Sequence, residues 1–146
     1  MKFLVIQTAF IGDVVLATGI VEKLHRHFPD AEIDFLVRKG NEGLLQNHPY
    51  LHEVLIWDKK NGKLKNLFKL LGLIRKRRYD KVINVQRFAA TGLLTAFSGA
   101  RESIGFDKNP FSFLSDSIVA NFSLARLFFL IKSLAPSMVY FLSLIK

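Results

Sequence analysis

Short apolar runs recur along the first part of the chain, at residues 3–7, 31–37, 53–57, 80–86 and 102–106. Helical patterns or turns separate them. The first interval carries Val14, Val15, Ala17, Thr18, Val21, Leu24 and Phe28 at spacings of three and four, which predicts an amphipathic helix. A short helix is expected at 42–46, a longer one at 63–77 and another at 91–97. Strands of this length, apolar on both faces and alternating with helices, fold as βαβ units around a parallel sheet with right-handed crossovers. Half of the residues are hydrophobic, with Gly 9 and Pro 4, which argues against long-range disorder and excludes collagen- and mucin-like classes.

A parallel sheet of this kind places ligand-binding groups beyond the C-terminal ends of its strands. On that expectation the rim consists of Thr8, Gly12 and Asp13, then Arg38, Lys39 and Gly40, then residues 58–60, then 86–88. Gly12-Asp13 at a strand-to-helix junction is the sharpest local feature. Glycine suits a tight turn, and an aspartate suits the positive start of a helix. Two readings of Asp13 follow: a helix cap, or a carboxylate that accepts a proton from a hydroxyl nucleophile. With one glycine, the loop matches neither dinucleotide-binding nor P-loop signatures. Lys39, Lys59, Lys60 and Arg87 are candidates for an anion-binding rim.

Charge is concentrated rather than general. The chain has a formal net charge of +9, yet residues 1–58 are net negative. Residues 59–81 hold 10 basic side chains and 1 acidic one. Three readings fit this stretch: the solvent face of a helix that buries Leu64, Leu67, Phe68, Leu71 and Ile74, an anionic membrane contact, or a nucleic-acid patch. The βαβ context and the lack of a recognition motif count against nucleic acid. There are no cysteines, which removes disulfides, thiolate nucleophiles and cysteine metal sites. His25, His27, His48 and His52 have no metal-ligand spacing, so no metal is expected.

The ordered series of residues resembles a known family. Gln7-Thr8-Ala9-Phe10-Ile11-Gly12-Asp13 follows the first apolar run, and Ala17-Thr18-Gly19 stands where the family often has a proline after Ala-Thr. His27-Phe28-Pro29-Asp30-Ala31 leads into the second run, and Asn47-His48-Pro49-Tyr50 precedes the third. The series closes with Arg78-Tyr79-Asp80-Lys81-Val82-Ile83-Asn84-Val85-Gln86, then Ser98-Gly99-Ala100-Arg101 and Ile104-Gly105-Phe106. Together these resemble glycosyltransferase family 9, the ADP-heptose:lipopolysaccharide heptosyltransferases, over the N-terminal acceptor domain.

The resemblance implies a Rossmann-like domain equivalent to the N-terminal half of a GT-B glycosyltransferase. It implies inverting heptose transfer from ADP-heptose, a co-substrate, to the lipopolysaccharide inner core, with no essential metal and no cofactor. Asp13 maps onto the family's catalytic base, and residues 8–12 map onto the loop at the cleft. Thr8, Gly12, Lys39, Lys59, Lys60 and Arg87 become candidate contacts to the acceptor or its phosphates. The implied partner is a phosphorylated lipid-linked saccharide at the cytoplasmic face of the inner membrane, where the protein would sit peripherally.

The expected organisation is an acceptor domain at 1–110 and a hydrophobic tail at 111–146. The tail is rich in Ser, Leu, Phe, Ile and Val and loses the βαβ punctuation. Its last uncharged run, 133–145, is shorter than the roughly 20 residues that span a bilayer. No donor domain is recognisable there, so the expectation is a truncated chain, inactive alone, or one that works with a separate donor-domain chain. The alternative is a non-catalytic membrane-surface or interaction module.

Overall fold

The computed structural model describes residues 1–106 and 117–119. Its strands are β1 (Lys2–Ile6), β2 (Glu32–Arg38), β3 (Glu53–Trp57), β4 (Lys81–Asn84), β5 (Glu102–Phe106) and β6 (Ser117–Val119). Its helices are α1 (Ile11–His27), α2 (Lys63–Arg77) and α3 (Ala89–Ala96), with a 3-10 turn at Glu42–Leu45. All strand pairs are parallel, in the order β3-β2-β1-β4-β5-β6. This is the doubly wound order, and the direction of winding reverses between β1 and β4. The expected α/β class and parallel sheet are therefore present. Ser117–Val119, which the sequence reading left within the tail, adds the sixth strand beside β5. The rest of 107–146, including the expected apolar tail, lies outside the described residues.

Side chains leave each strand on alternate faces, so each face receives its own helices. Phe3, Val5, Ile33, Phe35 and Val37 project to one face, where Val14, Ala17, Ile20, Val21 and Leu24 of α1 cover them. Leu4, Ile6, Leu36, Leu55 and Trp57 project to the other, against Leu67, Leu70 and Ile74 of α2 and Leu94 of α3. Phe3, Leu4, Val5 and Ile6 are fully buried, as expected for a central strand covered on both sides. Each such side chain contributes about 1.5–3 kcal/mol relative to exposure.

The basic helix departs from its expected packing. Leu67, Leu70 and Ile74 face the core, but Leu64 and Phe68 do not. At 100° per residue they lie on the flank of α2, displaced from the line through Leu67 and Ile74. The helix ends with Arg78 in the left-handed region, φ 51°, its N–H donating to the Arg75 carbonyl. Glycine is the residue that adopts this conformation without a Cβ penalty. Arg78→Gly is therefore expected to stabilise the domain by about 0.5–1 kcal/mol, measured as a higher urea midpoint at unchanged m-value. A lower midpoint would mean that the Arg78 side chain contributes more than the strain costs.

A polar network lies on the α2 side of the sheet, at the N-terminal ends of the strands and the C-terminal end of α2. The carboxylate of Asp34, nearly buried in β2, accepts from Arg77 Nη1 at 2.8 Å and from the Tyr79 hydroxyl. His52 Nδ1 lies 2.9 Å from its other oxygen, and Arg77 Nη2 is 2.6 Å from Glu53. Burial, reinforced by the Asp34 contact, pushes the Tyr79 phenol far above its usual value, so it stays a donor. Asp34, His52 and Glu53 could bring ligand atoms within 4.8 Å of one another, but the Arg77 guanidinium already bonds both carboxylates. The network ties β2, β3 and the end of α2 together, well away from the C-terminal rim.

Candidate functional site at the strand ends

The C-terminal ends of β3, β1 and β4 are joined by one chain of hydrogen bonds. Lys59, just past β3, donates from Nζ to the Thr8 carbonyl at 3.1 Å and to Thr8 Oγ1 at 2.8 Å. Thr8 follows β1, is buried, and donates from Oγ1 to Gln86 Oε1 at 2.7 Å, across the point where the winding reverses. The Lys59 ammonium also lies 4.6 Å from the centre of the buried Trp57 ring, a cation–π contact. Partial burial, with smaller repulsions from Arg38 and Lys63, pulls the Lys59 pKa down to about 8. Two of the three ammonium donors serve Thr8, leaving one for a ligand.

Lys59 also borders a groove of about 660 Å³. Its lining includes Ile11, Arg38, Asn41, Trp57 and Lys60, with Lys39 and Asp58 on its edge. Lys39 Nζ is 2.9 Å from Asp58 Oδ2. Asp58 Oδ1 accepts from the backbone N–H groups of Lys60 and Asn61, fixing the loop after β3 as an Asx turn. The Lys39 contact, followed by these amides, holds the Asp58 carboxyl well below the usual carboxylate range. Asn41 Nδ2 donates to the Ala9 carbonyl at 3.0 Å. The loop between β1 and α1 is thus held from three sides, by Asn41, Lys59 and Gln86.

Gly12 and Asp13 are not in that loop. The extended residue Phe10 precedes α1, and the first helical bond runs from the Val14 N–H to the Phe10 carbonyl at 3.1 Å. Gly12 is therefore helical, not a tight turn, and a Cβ built on it would meet nothing within 4 Å. The space beside it at the start of the helix is open. Asp13 occupies the first turn, half-buried, and makes no capping hydrogen bond. The capping reading fails for a geometric reason: Asp13 lies three residues inside the helix, whereas a cap precedes it. Its carboxylate has no hydrogen-bond partner among the described residues.

Of the candidates from sequence, the groove collects Lys39, Lys59 and Lys60, and Lys59 draws in Thr8. Gly12 and Asp13 lie on the adjoining first turn of α1, next to the groove residue Ile11. Arg87 is exposed beyond β4 and is not among the groove's lining residues. Asn41 and Trp57 escaped the sequence reading. Asn41 stands beside the turn glycine Gly40, and Trp57 ends an apolar run, so neither had a distinguishing pattern.

The fold and the rim define a doubly wound α/β domain with a cationic groove and an unengaged carboxylate at the strand ends. No protein-family model matches the chain. Curated relatives do. The chain is 27% identical over 122 residues to lipopolysaccharide heptosyltransferase 1 of Campylobacter coli, covering 84% of this chain and 34% of the relative. It is 32% identical over 97 residues to lipopolysaccharide heptosyltransferase 3 of Escherichia coli, covering 64% and 28%. Among solved structures, E. coli ADP-heptose lipopolysaccharide heptosyltransferase II superposes with a TM-score of 0.71 at 22% identity, over 83% of this chain and 35% of that one. A glycosyltransferase of family 9 from Veillonella parvula superposes with a TM-score of 0.75 at 20% identity, over 82% and 36%. These two share the fold. The matched region is similar to one part of the lipopolysaccharide heptosyltransferases in sequence and to the glycosyltransferase family 9 structures in fold. The chain spans about a third of the length of the curated relatives it matches.

Proposed function

We propose that this domain binds a phosphorylated, lipid-linked saccharide and supplies the general base for heptose transfer to it from ADP-heptose. The observation that carries the reading is the Asp13 carboxylate: half-buried at a helix start, free of hydrogen bonds to described residues, and adjacent to a cationic groove. In this scheme Lys59, Lys60 and Lys39 attract the acceptor's phosphates. The open space over Gly12 admits the sugar. Asp13 takes the proton from a sugar hydroxyl as that oxygen forms a bond to the anomeric carbon of the donor. The bond from that carbon to the ADP oxygen breaks, ADP leaves as the anion, and the anomeric configuration inverts. A donor-binding half is required for turnover, on the same polypeptide or on another.

The relatives named as heptosyltransferases support the reaction class. The Lys59 network supports the phosphate contact. An ammonium half-withdrawn from water and aimed by Thr8 is a stronger anion ligand than a free surface lysine.

The test is a calorimetric titration of the 146-residue chain with a delipidated, phosphorylated inner-core saccharide across pH. Charge on Lys59 is present below its pKa and lost above it, so affinity should fall as pH rises through about 8. Lys59→Arg, charged throughout, should flatten that profile, and Lys59→Gln should weaken binding at every pH. Stability moves the other way. Because the folded-state pKa lies below the ordinary value of 10.5, the unfolded chain holds the proton more tightly. Stability therefore rises between about pH 8 and 10.5, while binding declines. Binding with no pH dependence, or binding unaltered by Lys59→Gln, would overturn the assignment of Lys59.

A further inference from the structure

The surface of α2 combines two exposed apolar side chains with a run of lysines. Leu64 and Phe68 are 68% and 62% exposed, one turn apart, on the same flank of the helix. Lys65 and Lys69 stand beside them on the outward face, one turn apart in the same way, and both are exposed. Lys60 and Lys63 precede them on the loop and at the helix start, and Lys63 is close enough to Lys59 to depress its pKa. No acidic residue occurs between Asp58 and Asp80. Two large apolar side chains left in water contribute no burial free energy, and the lysines around them repel one another. An anionic bilayer resolves both, accepting the apolar pair below the headgroups and neutralising the ammonium groups at the surface.

We propose that the N-terminal half of α2 is a membrane-docking surface, with Leu64 and Phe68 inserting at the headgroup boundary of an anionic bilayer and Lys60, Lys63, Lys65 and Lys69 contacting lipid phosphates. Charge complementarity selects this occupant. A nucleic acid would use the lysines but offers no apolar phase for the Leu64–Phe68 pair, and an acidic protein would offer no continuous one. The surface stands on its own chemistry and does not rest on the transfer reading. It does give that reading a direction of approach: docking on this flank sets the loop 58–62, and with it the groove, against the headgroup layer that would present a lipid-linked acceptor.

The absence of cysteine in the sequence allows a clean test, since one introduced thiol can be labelled alone. Phe68→Cys carrying an environment-sensitive fluorophore would be mixed with vesicles of phosphatidylcholine alone or with phosphatidylglycerol added, neither containing any saccharide. The expected result is a blue shift with the anionic vesicles only, suppressed by salt. A label at Glu22→Cys, exposed on α1 across the sheet, should show none. In flotation of the otherwise unmodified chain, Leu64→Ser with Phe68→Ser should reduce anionic-vesicle binding by about tenfold or more. Lys65→Glu with Lys69→Glu should do the same, with thermal unfolding retained because all four side chains are exposed. The proposal is overturned by equal binding to both vesicle types, by no binding, or by binding that these pairs leave undiminished. It is also overturned if short duplex DNA binds as tightly as the anionic vesicles and Leu64→Ser with Phe68→Ser weakens neither, since that identifies a general polyanion site.

Discussion

On the proposed scheme, Asp13→Asn is expected to lower heptose transfer by about 10²–10⁴-fold, the range associated with removal of a general base, when the chain is combined with the donor-binding half of a heptosyltransferase. The substitution keeps the size and planar shape of the side chain but replaces a basic carboxylate oxygen with an amide NH2 that can only donate. Acceptor affinity should change little, because phosphate attraction is assigned to Lys59, Lys60 and Lys39 and not to Asp13. The fold should tolerate the change. Asp13 makes no side-chain hydrogen bond with the described residues, and what it loses is the favourable interaction with the helix dipole, about 0.3–1 kcal/mol at most. A pre-steady-state measurement should therefore show a lower chemical step at unaltered acceptor saturation. Full activity in the Asp13→Asn protein would reduce Asp13 to a helix-end charge and remove the base from the scheme.

The second large effect concerns stability and lies at the opposite edge of the sheet. Asp34→Ala is expected to cost about 3–5 kcal/mol, because breaking a buried ion pair strands the surviving partner. Arg77 would lose its buried carboxylate while keeping Glu53, and the buried Tyr79 hydroxyl would lose its acceptor. Tyr79→Phe should cost less, about 1.5–3 kcal/mol, since it removes one bond to a charged acceptor and leaves the ion pairs standing. Denaturant unfolding measures both. If Asp34→Ala proved no more costly than Tyr79→Phe, the Arg77 contact would carry little of the network's stabilisation. Neither change should alter groove binding at the strand C-termini, and that separates this cluster from the functional rim.

Much of this architecture was legible because its signals are local. The third and fifth strands begin and end at the expected residues. Turn residues such as Asn61-Gly62 and Ser98-Gly99 interrupt clean apolar runs there. The start of α1 was harder to see, because the residue before the helix is Phe10, with no polar side chain to announce a cap. That displacement moved Gly12 and Asp13 from a loop into a helix and changed what the glycine does. The fourth strand ends two residues early, at Asn84, since Val85 and Gln86 leave the ladder to form the rim.

Helical spacing also overestimated the buried face of α2. Hydrophobicity at i and i+4 marks a stripe, but the angular width of the contact depends on the partner surface. Leu64 and Phe68 fall outside it. In the rim, charged residues past strand ends could be proposed from topology alone. The bonds that make one of them distinctive could not. Lys59 reaches back across 51 positions to Thr8, and Thr8 spans 78 to Gln86. Such pairings exist only once the strand order is set.

The most direct measurement is residue-resolved. Amide chemical shifts of the 146-residue chain, followed during titration with the delipidated phosphorylated saccharide, report where the ligand lies. The account requires saturable shifts confined to one rim: Thr8 to Asp13, Arg38 to Asn41 and Asp58 to Asn61. Lys59→Gln should weaken the titration without relocating it. Absence of saturation, or shifts centred on the opposite edge around Asp34, His52 and Arg77, would contradict the claim that the strand ends form an acceptor site.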